Sequence, residues 1–223
     1  AKERRRRVVV PLLLTLGPAA GVFYGAALLE RAEQRRILAS DGGQFSRQIA
    51  NRLIAHREVL SSLGHFIEAT PGFTHDQFQV FTRLTLSEHA DIHALSFNEL
   101  VPDDARPEFE RALAQLSPGS HQITEQNADG TLIRAATRPE YLPVRHIVPF
   151  AGNEAALGYD IQSEATRRNA VERARATGEL AVTAPIQLVQ DDHRRVGVLE
   201  LFPIFDAAAG AERRFVGVAA GVI

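Results

Sequence analysis

The sequence predicts an α+β fold that follows an N-terminal transmembrane helix and a long stalk helix. Three observations lead to this prediction. The chain opens with a basic cluster and a long uncharged segment. Apolar residues then recur at three- and four-residue spacing, which is typical of one face of a helix. In the remainder, short apolar runs alternate with helical patterns, as expected for helices inserted among antiparallel strands.

Amino-acid composition excludes several classes of protein. The 223 residues are 45% hydrophobic and 23% charged, which indicates a folded chain with a real core. The net charge of −2 gives no basis for binding nucleic acid. The chain has no cysteine, which excludes disulfides, cysteine-ligated zinc and thiol catalysis.

The N-terminal segment has the pattern of a membrane anchor. Lys2 and the arginines at 4–7 precede an uncharged run from Val8 to Leu29. At about 1.5 Å per residue this run extends roughly 33 Å, enough to cross a hydrocarbon core of about 30 Å. A cleaved signal peptide, a buried core helix and a nucleic-acid arm are the alternatives, but the run is long for the first and lacks the polar face of the second. Residues 1–29 are therefore predicted to be a basic cytoplasmic tip and an inner-membrane anchor, with the following residues periplasmic or extracellular.

Residues 30–70 are predicted to form the stalk helix. Gly42-Gly43 weakens helix locally, so a break is expected there. The apolar stripe either seats a second copy, which gives a homodimer, or packs against its own domain, and both alternatives stay open. The members of the stripe are Phe45, Ile49, Leu53, His56, Leu60, Leu63 and Ile67.

Local signals mark the elements after the stalk. Pro71-Gly72 is predicted to end the stalk. Thr74 and Gln77 have the spacing of a capping box at the start of the next helix, and Phe73 and Phe78 can pack against each other there as a hydrophobic staple. The further predicted elements are a strand at 92–97, a helix opened by Pro102-Asp103-Asp104, a loop at 117–120, a hairpin around 127–130, a strand at 141–149, an Arg-rich helix at 163–176 stopped by Gly178, strands at 180–189 and 196–205 joined by a turn at 191–193, and a strand at 215–223.

Motifs of catalysis are absent from the sequence. It has no Gly-rich phosphate loop, no nucleophile elbow and no H-E-x-x-H pair. His89, Asp91 and His93 are interpreted as surface polar residues, because Asp91 falls in a turn before the strand rather than on a shared face. His56 lies on the apolar stripe and is interpreted as a packed, hydrogen-bonded histidine. We therefore expect no catalytic residue, no metal and no cofactor.

Four ordered motifs carry a resemblance to a known family. They are Tyr141–Asp160, Arg173–Gly178, Thr183–Leu188 and Gly197–Pro203. Together they resemble the CHASE domain, an extracytoplasmic sensor domain of bacterial histidine kinases and nucleotide cyclases and of plant cytokinin receptors. The resemblance spans about 74–205.

The resemblance implies two PAS-like modules with antiparallel sheets. Residues 71–205 correspond to the membrane-distal module, which holds the ligand. Residues 206–223 correspond to the start of a truncated membrane-proximal module.

The resemblance also implies a ligand site. The acidic residue that holds adenine in plant receptors falls on Arg167, and the threonine of the later strand falls on Leu201. Val189 takes the position that offers its backbone, and Ala155, Thr183 and Tyr141 are further implied contacts. Because arginine replaces an acid, a carboxylate or phosphate ligand is expected in place of a cytokinin bound in the plant manner.

These inferences predict the input domain of a dimeric receptor, without catalytic residues of its own, that binds a small organic and possibly anionic ligand. The expected parent protein is a histidine kinase or diguanylate cyclase with a further membrane helix. One alternative is an anchored domain that binds a partner protein, for which an exposed apolar patch would replace a pocket. Another is an anchored periplasmic enzyme, which would need a pocket with titratable groups of perturbed pKa.

Overall fold

A computed structural model describes residues 48–116, 122–189, 196–206 and 213–223. The chain divides into two units, 1–54 and 55–223, and the second contains the sheet and the hydrophobic core. In the first unit, residues 48–54 are helical and expose Ile49, Leu53 and Ile54. Within the described ranges no helix is both long and apolar enough to cross a membrane. The predicted anchor at 1–29, the Gly42-Gly43 break, the loop at 117–120 and the turn at 191–193 lie outside the described residues.

A five-stranded antiparallel sheet forms the centre of the second unit. Its order is β6-β1-β11-β10-β7. The strands are β1 (Ala94–Glu99), β6 (Val144–Val148), β7 (Ala181–Val182), β10 (Leu199–Phe205) and β11 (Phe215–Val222). Three short pairs flank it: β2 (Val101–Pro102) with β5 (Glu140–Tyr141), β3 (Thr124–Gln126) with β4 (Leu132–Arg134), and β8 (Ile186–Gln187) with β9 (Val196–Gly197).

The last strand corrects one predicted boundary. β11 pairs with β1 on one side and β10 on the other, so it is the central strand of this sheet. The prediction that 206–223 begins a second module therefore does not fit β11, which completes the sheet of the module predicted at 71–205. One glycine of β11 is required by this position: an added Cβ at Gly217 would overlap the Asn98 carbonyl oxygen of the neighbouring β1.

The described residues contain four α-helices: α1 (48–69), α2 (His75–Glu88), α3 (Arg106–Leu116) and α4 (Ala165–Thr177). The predicted capping box is confirmed, since the Thr74 side chain accepts from the Gln77 amide and the Gln77 side chain accepts from the Thr74 amide. The Phe73 and Phe78 rings stack at 5.9 Å, as the staple predicts. Gly178, at φ +70°, ends α4 in the left-handed conformation.

The two faces of the sheet are buried against different helices. On one face, α1 and α2 supply Leu60, Leu63, Ile67 and Phe78 to a core cluster. The C-terminal half of the predicted stripe thus packs against its own domain. On the other face, α4 and the segments around it enclose a second cluster. A third, smaller cluster lies between α3 and β5.

Candidate functional site

A small cavity lies between the sheet and α4. Its volume is about 40 Å³, and residues of β1, β6, β10 and β11 form one wall. Leu188 and Val189, which follow β8, close the opposite side together with Tyr159 and Arg167. Sites for drug-sized molecules measure about 300–1,000 Å³, so the cavity as it stands has room for only a few water molecules.

Arg167 is the charged residue that lines this cavity. It lies in the first turn of α4 and is 4% exposed. Its Nη2 donates to the Gln187 carbonyl at 2.8 Å, and its Nη1 lies 3.5 Å from Glu164 Oε2. The guanidinium also sits 5.3 Å from the centre of the Tyr159 ring. These contacts compensate the charge in part and hold the side chain at the cavity wall.

Glu164 helps to fix this arrangement. Its carboxylate accepts from the backbone amides of Thr166 and Arg167 at 2.7 and 3.0 Å and so caps α4. Burial raises the pKa of Glu164, but the hydrogen bonds from Thr166 and Arg167 outweigh burial and lower that pKa below its usual value. The carboxylate is therefore ionised near neutral pH beside Arg167.

Other polar groups also line the cavity, and the sequence patterns did not single them out. The Tyr159 hydroxyl is buried and has no hydrogen-bond partner among the described residues. Ser96 Oγ donates to Asn98 Oδ1 at 3.0 Å on β1. A buried hydroxyl without a partner is uncommon, because the loss of its hydrogen bonds to water is not offset. Tyr159 is thus the group whose hydrogen bonding a ligand or water would complete.

The structure places two of the six predicted contacts at the cavity. Arg167 and Val189 line it. Leu201 is fully buried in the core cluster on the same face of the sheet but does not line the cavity. Ala155 is exposed, whereas its neighbour Ala156 is buried at the cavity wall.

Thr183 and Tyr141 have structural roles instead. Thr183 Oγ1 accepts from the Leu199 amide at 2.9 Å and links the segment after β7 to β10. Tyr141 belongs to the third core cluster, and its hydroxyl donates to Asp103 Oδ1 at 2.8 Å. Neither residue lines the cavity, so the implied ligand contacts at these two positions are not supported.

A buried acid–histidine–acid cluster lies on the α1 side of the sheet. His56 Nδ1 is 3.1 Å from Glu200 Oε1, and His56 Nε2 is 3.1 Å from Asp91 Oδ2. A ring that carries both N–H groups donates to both carboxylates. The cluster confirms His56 as a packed, hydrogen-bonded histidine. Among the described residues no group of three potential ligands could hold a metal ion, the segment with His89 and His93 included.

A pair of histidines connects α2 to the sheet. His75 Nδ1 and His146 Nδ1 lie 3.3 Å apart. Burial, followed by the charges of Arg145 and His75, lowers the pKa of His146 to about 3. His146 is therefore neutral at physiological pH, and its contact with His75 joins α2 to β6.

A larger depression of about 510 Å³ lies at the C-terminal end of α1. Its lining includes Glu68, Glu99 and Asp206, and each of these carboxylates has a cation partner: Arg213 at 3.4 Å, Arg145 at 3.1 Å and Arg214 at 3.3 Å. Because those charges are compensated, none of these three carboxylates calls for a cationic ligand.

Comparison with known proteins gives a family match and a likeness to solved structures. The model of the CHASE domain matches residues 71–223. No curated protein matches the chain in sequence at a significant level. Among solved structures, the chain is similar to an extracellular ligand binding receptor from Desulfohalobium retbaense DSM5692, with a TM-score of 0.48 and 12% identity over 80% of this chain. The chain spans 23% of that protein.

Proposed function

The chain belongs to the CHASE domain family, and from this membership we propose that it is the sensor part of a membrane-bound receptor that binds a small anionic organic ligand beside Arg167. The family match covers residues 71–223, which include the whole sheet. A CHASE domain is an extracytoplasmic sensor rather than a catalytic domain. The proposal adds the position and the charge of the ligand.

The observation that carries this proposal is the buried guanidinium at the cavity wall. Arginine has five N–H donors, and among the described residues this side chain hydrogen-bonds to the Gln187 carbonyl and, at a longer distance, to Glu164. A carboxylate or phosphate accepts two parallel hydrogen bonds from such a fork. Tyr159 lines the same cavity, and its hydroxyl, which has no hydrogen-bond partner among the described residues, is a further donor. An anion would therefore satisfy both groups.

The ligand would have to enlarge the cavity, because about 40 Å³ does not hold an organic molecule. Leu188 and Val189 lie outside the regular strands and helices, as Tyr159 does, but unlike Tyr159 both are only partly buried. Outward movement of this segment would open the space beside Arg167 and keep the sheet intact.

A thermal-shift screen of the chain in detergent tests the proposal. Small mono- and dicarboxylates and organic phosphates are expected to raise the melting temperature, while their neutral amide analogues are not. At one hundred times Kd a ligand stabilises by about 2.7 kcal/mol, or roughly 5–10 °C for a domain of this size. Equal shifts with acids and amides, or no shift with any anion, would contradict the proposed charge of the ligand.

We also propose that residues 8–29 span the membrane with the N-terminus in the cytoplasm. The supporting pattern is the basic cluster at 2–7 before the uncharged run. A reporter fused after residue 223 is expected to be active only if it functions outside the cytoplasm, and one fused before residue 1 only if it functions inside. The reverse pattern would refute the anchor and the receptor together.

The output of the parent receptor is proposed to be a histidine kinase or a diguanylate cyclase. This proposal rests on the occurrence of CHASE domains in such proteins. No contact among the described residues bears on it. The coding sequence of the parent gene tests it directly, because a kinase or cyclase domain would be recognisable there.

A further inference from the structure

The buried cluster around His56 joins three separate parts of the fold. His56 lies on α1, Glu200 lies on β10, and Asp91 lies in the turn between α2 and β1. Each ring nitrogen of His56 is 3.1 Å from a carboxylate oxygen, and His56 is 3% exposed. The cluster is on the α1 side of the sheet, whereas the cavity beside Arg167 is on the α4 side. The candidate ligand site therefore does not involve these three titratable residues.

Both contacts of the ring can be hydrogen bonds only if the cluster holds an additional proton. A neutral imidazole has one N–H donor and one nitrogen that only accepts, whereas an imidazolium ring has two donors. With a neutral ring and two ionised acids, the accepting nitrogen would face a carboxylate oxygen at 3.1 Å without a hydrogen atom between them. The observed geometry therefore requires one proton more than a neutral ring and two carboxylates carry.

The two acids differ in their access to water. Glu200 is 2% exposed, and its Oε2 has no hydrogen-bond partner among the described residues. Loss of the ring as the donor to Oε1 would leave this carboxylate unsatisfied, which is costly for a buried charge. The Asp91 side chain is 32% exposed, so water can take the place of the ring there. Of the two contacts, the one between His56 and Asp91 is therefore the less costly to lose.

The contact with Asp91 ties the C-terminal end of α2 to α1. The last residue of α2 is Glu88, three residues before Asp91. A groove of about 240 Å³ lies between the two helices, and its lining includes Ala55 of α1 and His89, the C-cap of α2. Movement of the turn away from α1 would therefore widen this groove.

The other charged groups near the cluster have partners of their own, face solvent or line the groove. Glu99 is the titratable residue of β1, but it lies at the far end of that strand, where it pairs with Arg145 at 3.1 Å. On α1, Arg57 pairs with Glu179 at 3.0 Å, and β7 and β11 contain no titratable residue. The titratable side chains on nearby positions of α1, α2 and the turn that are exposed or line the groove are Arg52, Glu58, Arg83, Glu88, His89 and His93.

We propose that the cluster is a second sensing site of this domain, with the proton as its ligand, and that loss of the proton releases the turn at Asp91 from α1. While the additional proton is bound, the ring donates to both acids and the turn is held. As the pH rises and this proton leaves, the remaining N–H stays with Glu200, the contact with Asp91 opens, and its contribution to stability is lost. A CHASE domain is an extracytoplasmic sensor, so the site is exposed to the pH of the surroundings. The site does not depend on the anion site across the sheet.

Melting temperatures of the chain in detergent test the proton dependence, with Asp91→Asn as the variant. Asparagine keeps the size of the side chain but removes its charge, so it accepts more weakly from an imidazolium ring. At about pH 6 the variant is expected to melt about 3 °C below the wild type, and at about pH 9 within about 1 °C of it.

Glu179→Gln is the matched control for this measurement. Its partner is Arg57, and arginine carries its charge at both pH values, so the difference from the wild type should not change with pH. In a His56→Gln background the effect of Asp91→Asn should likewise lose its pH dependence. If the Asp91→Asn difference in the otherwise wild-type chain is equal at both pH values, the proton site is overturned.

A nitroxide spin label tests the release of the turn. The chain has no cysteine, and Ala90 is exposed beside Asp91, so Ala90→Cys takes the label at one position. The mobile fraction of its spectrum is expected to rise about twofold from about pH 6 to about pH 9, and with Asp91→Asn added it should be high at both. A label at Ile133→Cys on the exposed strand β4 should not respond to pH. An Ala90→Cys label with the same mobility at both pH values would overturn the release of the turn.

Discussion

Replacing His56 with leucine is expected to lower the free energy of unfolding by about 3–5 kcal/mol at neutral pH. Glu200 is 2% exposed, and the His56 ring is the donor to its Oε1. Its Oε2 already has no hydrogen-bond partner among the described residues. Leucine would fill a similar volume but would leave a buried carboxylate without any donor, and the loss of one partner of a buried pair is costly for this reason.

Equilibrium unfolding in urea measures the effect, with two matched variants. Arg57→Leu removes an ion pair one residue away, Arg57 to Glu179 at 3.0 Å, whose side chains are 60% and 63% exposed. It should cost less than about 1 kcal/mol, because solvent screens exposed pairs. The double variant His56→Leu with Glu200→Leu removes both partners and should recover much of the loss. If His56→Leu costs no more than Arg57→Leu, the cluster does not stabilise the fold.

Elements with local signals could be predicted from the sequence. The capping box at Thr74 and the stop at Gly178 each depend on contacts within a few residues. The hairpin is another example, because the Asn127 side chain accepts from the Thr131 amide four residues on at 2.9 Å. Such contacts hold whatever the rest of the chain does, so a single sequence is enough to find them.

Pairings between distant segments could not be predicted. His56 lies 144 residues from Glu200 and 35 from Asp91, and nothing local links them. The central place of β11 depends on its ladders with β1 and β10, while the motif resemblance stopped before that strand. The long strand predicted at 180–189 is two short pieces, β7 and β8, in different sheets. Strand partners follow from the whole fold and not from the strand's own sequence.

Only part of the candidate site could be predicted from the sequence. The register of the motifs selected Arg167 and Val189 as ligand contacts, which stays a prediction, and both residues line the cavity. The implied contact at Ala155 is one residue from Ala156, and in a 3₁₀ turn one residue changes the direction of the side chain by roughly 120°. Tyr159 gave no signal, because a tyrosine in an apolar run is usually a core residue.

Arg167→Ala is expected to weaken binding of an anionic ligand found in the thermal-shift screen by about 1.5–3 kcal/mol, or roughly 10- to 150-fold in Kd. The physical reason is the loss of a buried, charge-assisted donor fork beside Tyr159. The fold should survive, because the Glu164 carboxylate still caps α4 through the Thr166 and Arg167 backbone amides. Isothermal titration calorimetry of the two proteins measures the difference.

Arg167→Lys separates charge from geometry. Lysine keeps the positive charge but cannot donate two parallel hydrogen bonds, so its affinity should lie between that of the wild type and that of Arg167→Ala. Val189→Ala, which leaves the backbone and the charge in place, should change Kd much less than Arg167→Ala does. If Arg167→Ala leaves the affinity for the anion unchanged, the guanidinium serves α4 and the Gln187 carbonyl alone, and the ligand must bind elsewhere on the domain.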